Sequence, residues 1–142
     1  MAIGINAFKN SNTTNSLYSN TAEVTRIEHN NGVIAIHMTG MTAGKKVLGF
    51  DYACRIVGMK YQAVEAKAGH GLSVFIGTSA ASNLLALISA TADDTTYFPS
   101  KFDTANAEIA KGGHLTFNVS GASWAAGNNI QQGILILETI PL

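Results

Sequence analysis

The sequence predicts an all-β chain, an antiparallel β-sandwich or jelly roll with an extended N-terminal arm. Three observations carry this expectation. Short runs alternate apolar and polar residues; glycine-centred turns separate them; and the last run, Gly133-Ile134-Leu135-Ile136-Leu137, is apolar on both parities. Seven to nine such strands in one 142-residue chain fit a single core of two stacked sheets. We divide the chain into an arm, residues 1–21, and a sandwich domain, residues 22–142.

The arm contains five asparagines, one lysine and no acid. Residues 10–16 run Asn-Ser-Asn-Thr-Thr-Asn-Ser, side chains that compete for backbone hydrogen bonds and favour extended chain or turns over helix. The basic start and apolar core of a secretory signal are missing, and the first arginine is Arg26, so neither a signal nor a transit peptide is expected. Ile3, Ile5, Phe8, Leu17 and Tyr18 interrupt the polar run as candidate anchors on a neighbour.

The first hairpin follows at once. Asn31-Gly32 suits a two-residue type I′ turn, in which both central residues take positive φ. That turn sets Asn30 opposite Val33, His29 opposite Ile34, Ile27 opposite Ile36 and Arg26 opposite His37. One face then carries Ile27, Ile34, Ile36 and Met38, and the wetter face carries Val24, Arg26, Glu28, Ala35 and His37.

In the next run, from Asp51 to Lys67, Cys54 and Ile56 share one parity while Val57, Met59 and Tyr61 share the other. Gly58 sits at the switch and predicts a bulge or bend there. The turn Gly69-His70-Gly71 leads into Leu72, Val74 and Ile76, which reads as a second hairpin. Leu84–Ser89 has the composition of either helix or strand; its β-rich flanks favour strand. Residues 103–110 suit a helical turn or a short strand. Gly112-Gly113 opens a strand with Leu115, Phe117 and Val119 inward. The closing strand, with Leu135 and Leu137 opposite Ile134, Ile136 and Ile140, is expected to be central or covered by a subunit, so Leu135 and Leu137 are interface candidates.

Nine basic and nine acidic residues balance, and Lys45-Lys46 is the one adjacent basic pair, which argues against nucleic acid as a partner. No apolar stretch approaches the roughly 18 residues of a membrane span, so no membrane is expected. Charged residues make up only 13%, about half the ordinary share, as suits a protein that covers its surface with partners. Cys54, the single cysteine, lies in an apolar run and reads as a buried structural thiol.

No motif points to an enzyme. Phosphate loops, dinucleotide glycines and the nucleophile elbow are absent from the sequence. His29, His37, His70 and His114 never fall at metal-ligand spacing, and the hairpin register separates His29 from His37. A cross-strand pair of His70 and His114 is the remaining metal arrangement, and Asp93-Asp94 with Asp103 and Glu108 the remaining acidic one. Neither is expected to bind, and no cofactor is expected. Trp124, in a small-residue loop, suits either packing over one end of the sandwich, a subunit contact or stacking on a sugar.

The runs from Tyr52 to Gly58, from Leu72 to Gly77, from Lys111 to Phe117 and from Gly133 to Leu137 together resemble the small β-sandwich head decoration, or cement, proteins of tailed bacteriophages. The resemblance implies a non-enzymatic virion protein, usually a homotrimer, on the capsid surface, where it bridges neighbouring copies of the major capsid protein. The arm would then add a strand to a neighbour's sheet edge. A carbohydrate- or receptor-binding sandwich of a phage tail or fibre is the alternative, with Trp124, Tyr97, Asn128 and Asn129 as its sugar contacts. A cupin-like metalloenzyme is disfavoured by the histidine spacing.

Overall fold

The computed structural model describes residues 17–19, 24–41, 44–65, 71–90, 92–120 and 131–142. Its strands are β1 (Leu17–Ser19), β2 (Val24–Asn30), β3 (Val33–Met41), β4 (Gly44–Phe50), β5 (Cys54–Glu65), β6 (Gly71–Ile76), β7 (Leu84–Ser89), β8 (Thr95–Tyr97), β9 (Lys101–Phe102), β10 (Glu108–Ile109), β11 (His114–Ser120) and β12 (Gln131–Pro141). All pairings are antiparallel. One sheet runs β1-β4-β11-β6-β7-β9; the other runs β10-β5-β12-β3-β2, with β8 also paired to β5. The chain is an antiparallel β-sandwich.

The first hairpin has the expected register at all four positions, Asn30 with Val33, His29 with Ile34, Ile27 with Ile36 and Arg26 with His37. Asn31 and Gly32 take φ of 52° and 82°, the left-handed pair that a type I′ turn needs. A register shift between Val24 and Arg26 then pairs Val24 with Met38, a β-bulge at the start of β2.

Gly58 marks a bulge, as its parity switch predicts. Glu138 pairs with Gly58 and Thr139 with Ile56, skipping Val57, so Ile56 and Met59 are both buried while Val57 is about half exposed. The glycine also leaves room for the Glu138 side chain, whose carboxylate oxygen lies 2.6 Å from where a Cβ would stand. Leu84–Ser89 is strand β7, paired with β6 and β9. Residues 103–110 hold both expected forms, a 3-10 turn at Thr104–Asn106 and strand β10.

The second hairpin does not form. β5 pairs with β12, β8 and β10, whereas β6 pairs with β11 and β7 in the opposite sheet. The two strands therefore belong to opposite sheets of the sandwich. Glycine turns mark where a chain reverses; which sheet the next strand joins depends on distant partners.

The interior is built from the inward parity of both sheets. Phe50 and Leu48 of β4, Leu115 and Phe117 of β11, Val74 of β6 and Leu85 of β7 are fully enclosed, as are Ile34 and Ile36 of β3 and Leu135 and Leu137 of β12. Cys54 belongs to this core; burial pushes its thiol up to about 11, the behaviour of an inert structural cysteine. β12 is central, between β5 and β3, as its two apolar parities predict.

Enclosing each such side chain contributes about 1.5–3 kcal/mol by area, and truncation adds the cost of a cavity. Phe117→Ala is expected to lower unfolding stability by about 3–5 kcal/mol in urea titration with an unchanged m-value. A loss below about 1 kcal/mol would show that Phe117 is not part of a close-packed core.

Candidate ligand pocket

One end of the sandwich carries a pocket of about 280 Å³ lined by His29, Asn31, Gly32, Tyr52, Thr139 and Pro141. Three separate stretches of chain build it. His29 comes from the end of β2, Asn31 and Gly32 from the turn that follows, Tyr52 from the link between β4 and β5, and Thr139 and Pro141 from the end of β12.

The turn is locked to β12 through one carbonyl. Gly32 O accepts from both the backbone N–H of Thr139 at 2.8 Å and its hydroxyl at 2.7 Å. Close approach requires the glycine, since a Cβ at position 32 would stand 2.5 Å from the carbonyl oxygen of Thr139. Beyond the pocket, Leu142 N–H donates to Ala53 O at 3.2 Å and ties the end of β12 to the link that carries Tyr52.

Tyr52 and His29 stack, with ring centroids 5.4 Å apart and planes at 9°. Tyr52 also meets Phe50 of the core at 5.9 Å and 60°, a tilted contact that fixes the phenol from behind. The Tyr52 hydroxyl lies 3.3 Å from Nε2 and 3.4 Å from Nδ1 of His29. Burial is the largest influence on the phenol and raises its pKa far above the ordinary value; the nearby Cys54 thiol adds to the rise and hydrogen bonding with Thr139 opposes it. His29 is only 9% exposed, and burial lowers its pKa from 6.5. At neutral pH the pocket thus holds a neutral imidazole and a neutral phenol.

The sequence reading assigned His29 no functional role; in the fold it is buried in the pocket wall. The hairpin register already placed it on the apolar parity, opposite Ile34, and a polar side chain on the buried face was the signal available. Tyr52 gave no such signal, because it lies before β5 rather than in it.

The other histidine of the hairpin, His37, is on the opposite, outward face as expected. Its Nε2 lies 2.7 Å from Glu28 Oε1, and Arg26 Nη2 donates to the same oxygen at 3.1 Å. The His37 hydrogen bond is the chief cause holding the Glu28 carboxyl below its usual range.

The sequence-predicted interface residues are not gathered here. Ile3, Ile5, Phe8 and Trp124, with Asn128, Asn129 and His70, lie outside the described residues. Leu17 and Tyr18 fall in β1, an edge strand paired with Phe50 and Gly49 of the same chain. Leu135 and Leu137 are enclosed in the sandwich core with no exposed surface, so they face the opposite sheet rather than a partner. The outward side of β12 is instead that of Ile134 and Ile136. Tyr97 is packed on the core, and its hydroxyl accepts from Ala92 N–H at 2.7 Å. Among the described residues no group of three His, Cys, Asp or Glu side chains is placed to hold a metal ion.

No family model matches the chain, and no curated protein does. Solved structures that are similar include a family 6 carbohydrate-binding module, at 9% identity and TM-score 0.45 over 94% of this chain and 98% of that one. A second is the module CsCBM6-3 from Clostridium stercorarium in complex with cellobiose, at 13% identity and TM-score 0.43 over 92% and 96%. A third is the low-affinity xylan-binding module CBM86 from Roseburia intestinalis, at 10% identity and TM-score 0.41 over 90% and 97%.

The state of His29 sets a pH dependence. Its folded pKa lies below 6.5 while the unfolded chain titrates near 6.5, so below that pH the unfolded state binds more protons and stability falls as pH drops. The contribution is fully present above the unfolded value and is lost through the folded one. Thermal melts from pH 8 to pH 5 should show a steeper acid loss for the native chain than for His29→Gln; parallel curves would mean that His29 is not buried neutral.

Proposed function

We propose that the chain is a non-enzymatic binding module whose end pocket holds a carbohydrate. The observation that carries this reading is the stacked His29–Tyr52 pair set beside polar side chains. A sugar ring presents an apolar C–H face and a rim of hydroxyls, so it is held by an aromatic surface with a few placed donors and acceptors. Tyr52, His29 and the Pro141 ring supply the carbon surface, and Asn31 and Thr139 supply polar groups. The pocket is preformed, because the core behind Tyr52 and the Gly32–Thr139 bonds fix its walls without a ligand.

Nothing in the pocket is arranged as a nucleophile with a base. The phenol is held protonated by burial, and the Thr139 hydroxyl donates its proton to a backbone carbonyl and keeps only acceptor capacity. Binding without chemistry is the function that such a lining supports.

Isothermal titration against a panel of neutral and acidic oligosaccharides tests the reading. Tyr52→Ala is expected to weaken binding by tenfold or more, since an aromatic contact gives about 0.5–1.5 kcal/mol beyond its buried area. Phe98→Ala, at a ring 70% exposed and outside the pocket lining, should leave affinity unchanged. A panel without any binder, or a Tyr52→Ala variant of native affinity, overturns it.

A second reading follows the phage-cement resemblance, a trimer on a capsid surface that bridges copies of the major capsid protein. One observation favours it. The outer face of the sheet that holds β12 exposes Val33, Val57, Val64 and Ile140 at 42–51% around the half-buried Ile134 and Ile136. Charged and polar side chains share that face, with Glu138 between Ile136 and Ile140, Lys60 opposite Ile136, and Arg26, Glu28 and His37 toward β2, so the apolar residues form a mixed surface of the kind found at non-obligate interfaces. Light scattering of the untagged chain should then give about 45 kDa, three 14.9 kDa chains. A mass of one chain would argue against the trimer.

A further inference from the structure

The pocket contains an unusual polar group whose bonding capacity is only partly spent. His29 is nine-tenths buried, yet the one hydroxyl near its nitrogens belongs to a ring stacked parallel to it. A neutral imidazole carries its N–H and its lone pair in the ring plane, so a hydroxyl over the ring face satisfies neither at full strength. Among the described residues no other side chain bonds to either nitrogen. A buried donor and acceptor without in-plane partners cost free energy unless a ligand or water supplies them.

Charge narrows the ligand. No lining residue is ionised at neutral pH, and burial alone shifts His29, without a contribution from any neighbouring charge. Each element around the imidazole agrees. Glu28 on its own strand lies on the opposite face with Arg26 and His37; the β4–β5 link presents Tyr52, held protonated, with the exposed Asp51 before it outside the lining; the turn presents Asn31 and Gly32; and β12 presents Thr139 and Pro141, with Glu138 on the outer face over Gly58. A carboxylate or sulfate placed there would lose its hydration without meeting a cation. The volume, about 280 Å³, is at the lower end of small-molecule sites and suits one ring rather than a chain segment.

Resting on the carbohydrate reading, we infer that the pocket selects a single uncharged sugar residue, with neutral His29 as the specificity-determining group that donates to one ligand hydroxyl and accepts from another. Protonation of His29 weakens the selection. A protonated His29 has two donors and no acceptor, so it drops one bond to a neutral sugar and gains an ion pair with a sugar carboxylate.

The experiment titrates the full chain, by isotope-edited NMR, with the methyl glycosides of glucose, galactose and mannose and with the matching uronic acids, at pH 7.5 and pH 5.0. At pH 7.5 at least one neutral glycoside is expected to bind tenfold or more tightly than its uronic acid. That ratio should shrink severalfold at pH 5.0. His29→Gln, which keeps an uncharged donor and acceptor, should retain the preference at pH 7.5 and lose its pH response. Equal binding of a neutral sugar and its uronic acid at pH 7.5, or a ratio indifferent to pH in the native chain, overturns the inference and leaves the carbohydrate reading standing. Binding of none of the six probes at either pH overturns both.

Discussion

The structure depends on the antiparallel seating of β12 between β3 and β5. Leu135 pairs with Ile36 on one side and Tyr61 on the other, and Leu137 pairs with Ile34 and Met59. These partners come from the first half of the chain and meet a strand from its end. Non-local pairing of this kind incurs a large loop-closure cost before any contact compensates it. What offsets that cost is the simultaneous enclosure of both leucines under the opposite sheet, together with backbone ladders on each side that are interrupted only at bulges. Gly133 shows how closely the strands approach. A Cβ there would overlap the Tyr61 hydroxyl and the Gln62 carbonyl, and burial of that same tyrosine pushes its phenol up to about 12.

The pocket inherits its geometry from that seating. Two residues beyond Leu137, Thr139 grips Gly32 through backbone and side chain, and Leu142 reaches the link that carries Tyr52. The turn of the first hairpin is thereby held by the last strand, and the stacked rings sit between them. The bulge at Val57-Gly58 occurs at the same level, opposite Glu138 and Thr139. It lets the inward parity of β5 change while β12 continues its own, so Thr139 stays on the inner side next to His29 and Glu138 remains outside. A regular ladder here would put either a core residue or the pocket threonine on the wrong face.

Local chemistry accounts for what was legible in the sequence. Asn31-Gly32 specifies a turn with one register, and register determines which hairpin residues face inward; a glycine at a parity switch specifies a bulge. Leu84–Ser89 was readable as a strand from its flanks. The partnership of β5 with β12, and of β6 with β11, was not readable, because a turn of small residues serves equally a hairpin and a crossing between sheets. The same limit hid the face of β12 that meets solvent. Both parities are apolar, so only the placement of the opposite sheet decides that Leu135 and Leu137 are interior and Ile134 and Ile136 are outward.

The pocket was hidden for a related reason. His29, Tyr52 and Thr139 are separated by 23 and 87 residues along the chain, and no spacing rule unites residues collected by long-range pairing. One local anomaly did exist, a histidine on the parity of Ile27 and Ile34. A core position accepts a polar ring only where its hydrogen-bonding groups are met, and here they are met incompletely by a stacked phenol. A residue chosen for stability alone would be apolar at that position, since an aliphatic side chain opposite Ile34 adds burial without a desolvation cost. Retaining an imidazole there makes the fold less stable in acid and leaves a donor and an acceptor incompletely bonded in the wall of a pocket. Those two consequences share one cause, and binding of a neutral hydroxylated ring would relieve the second by completing the bonds that the protein leaves open.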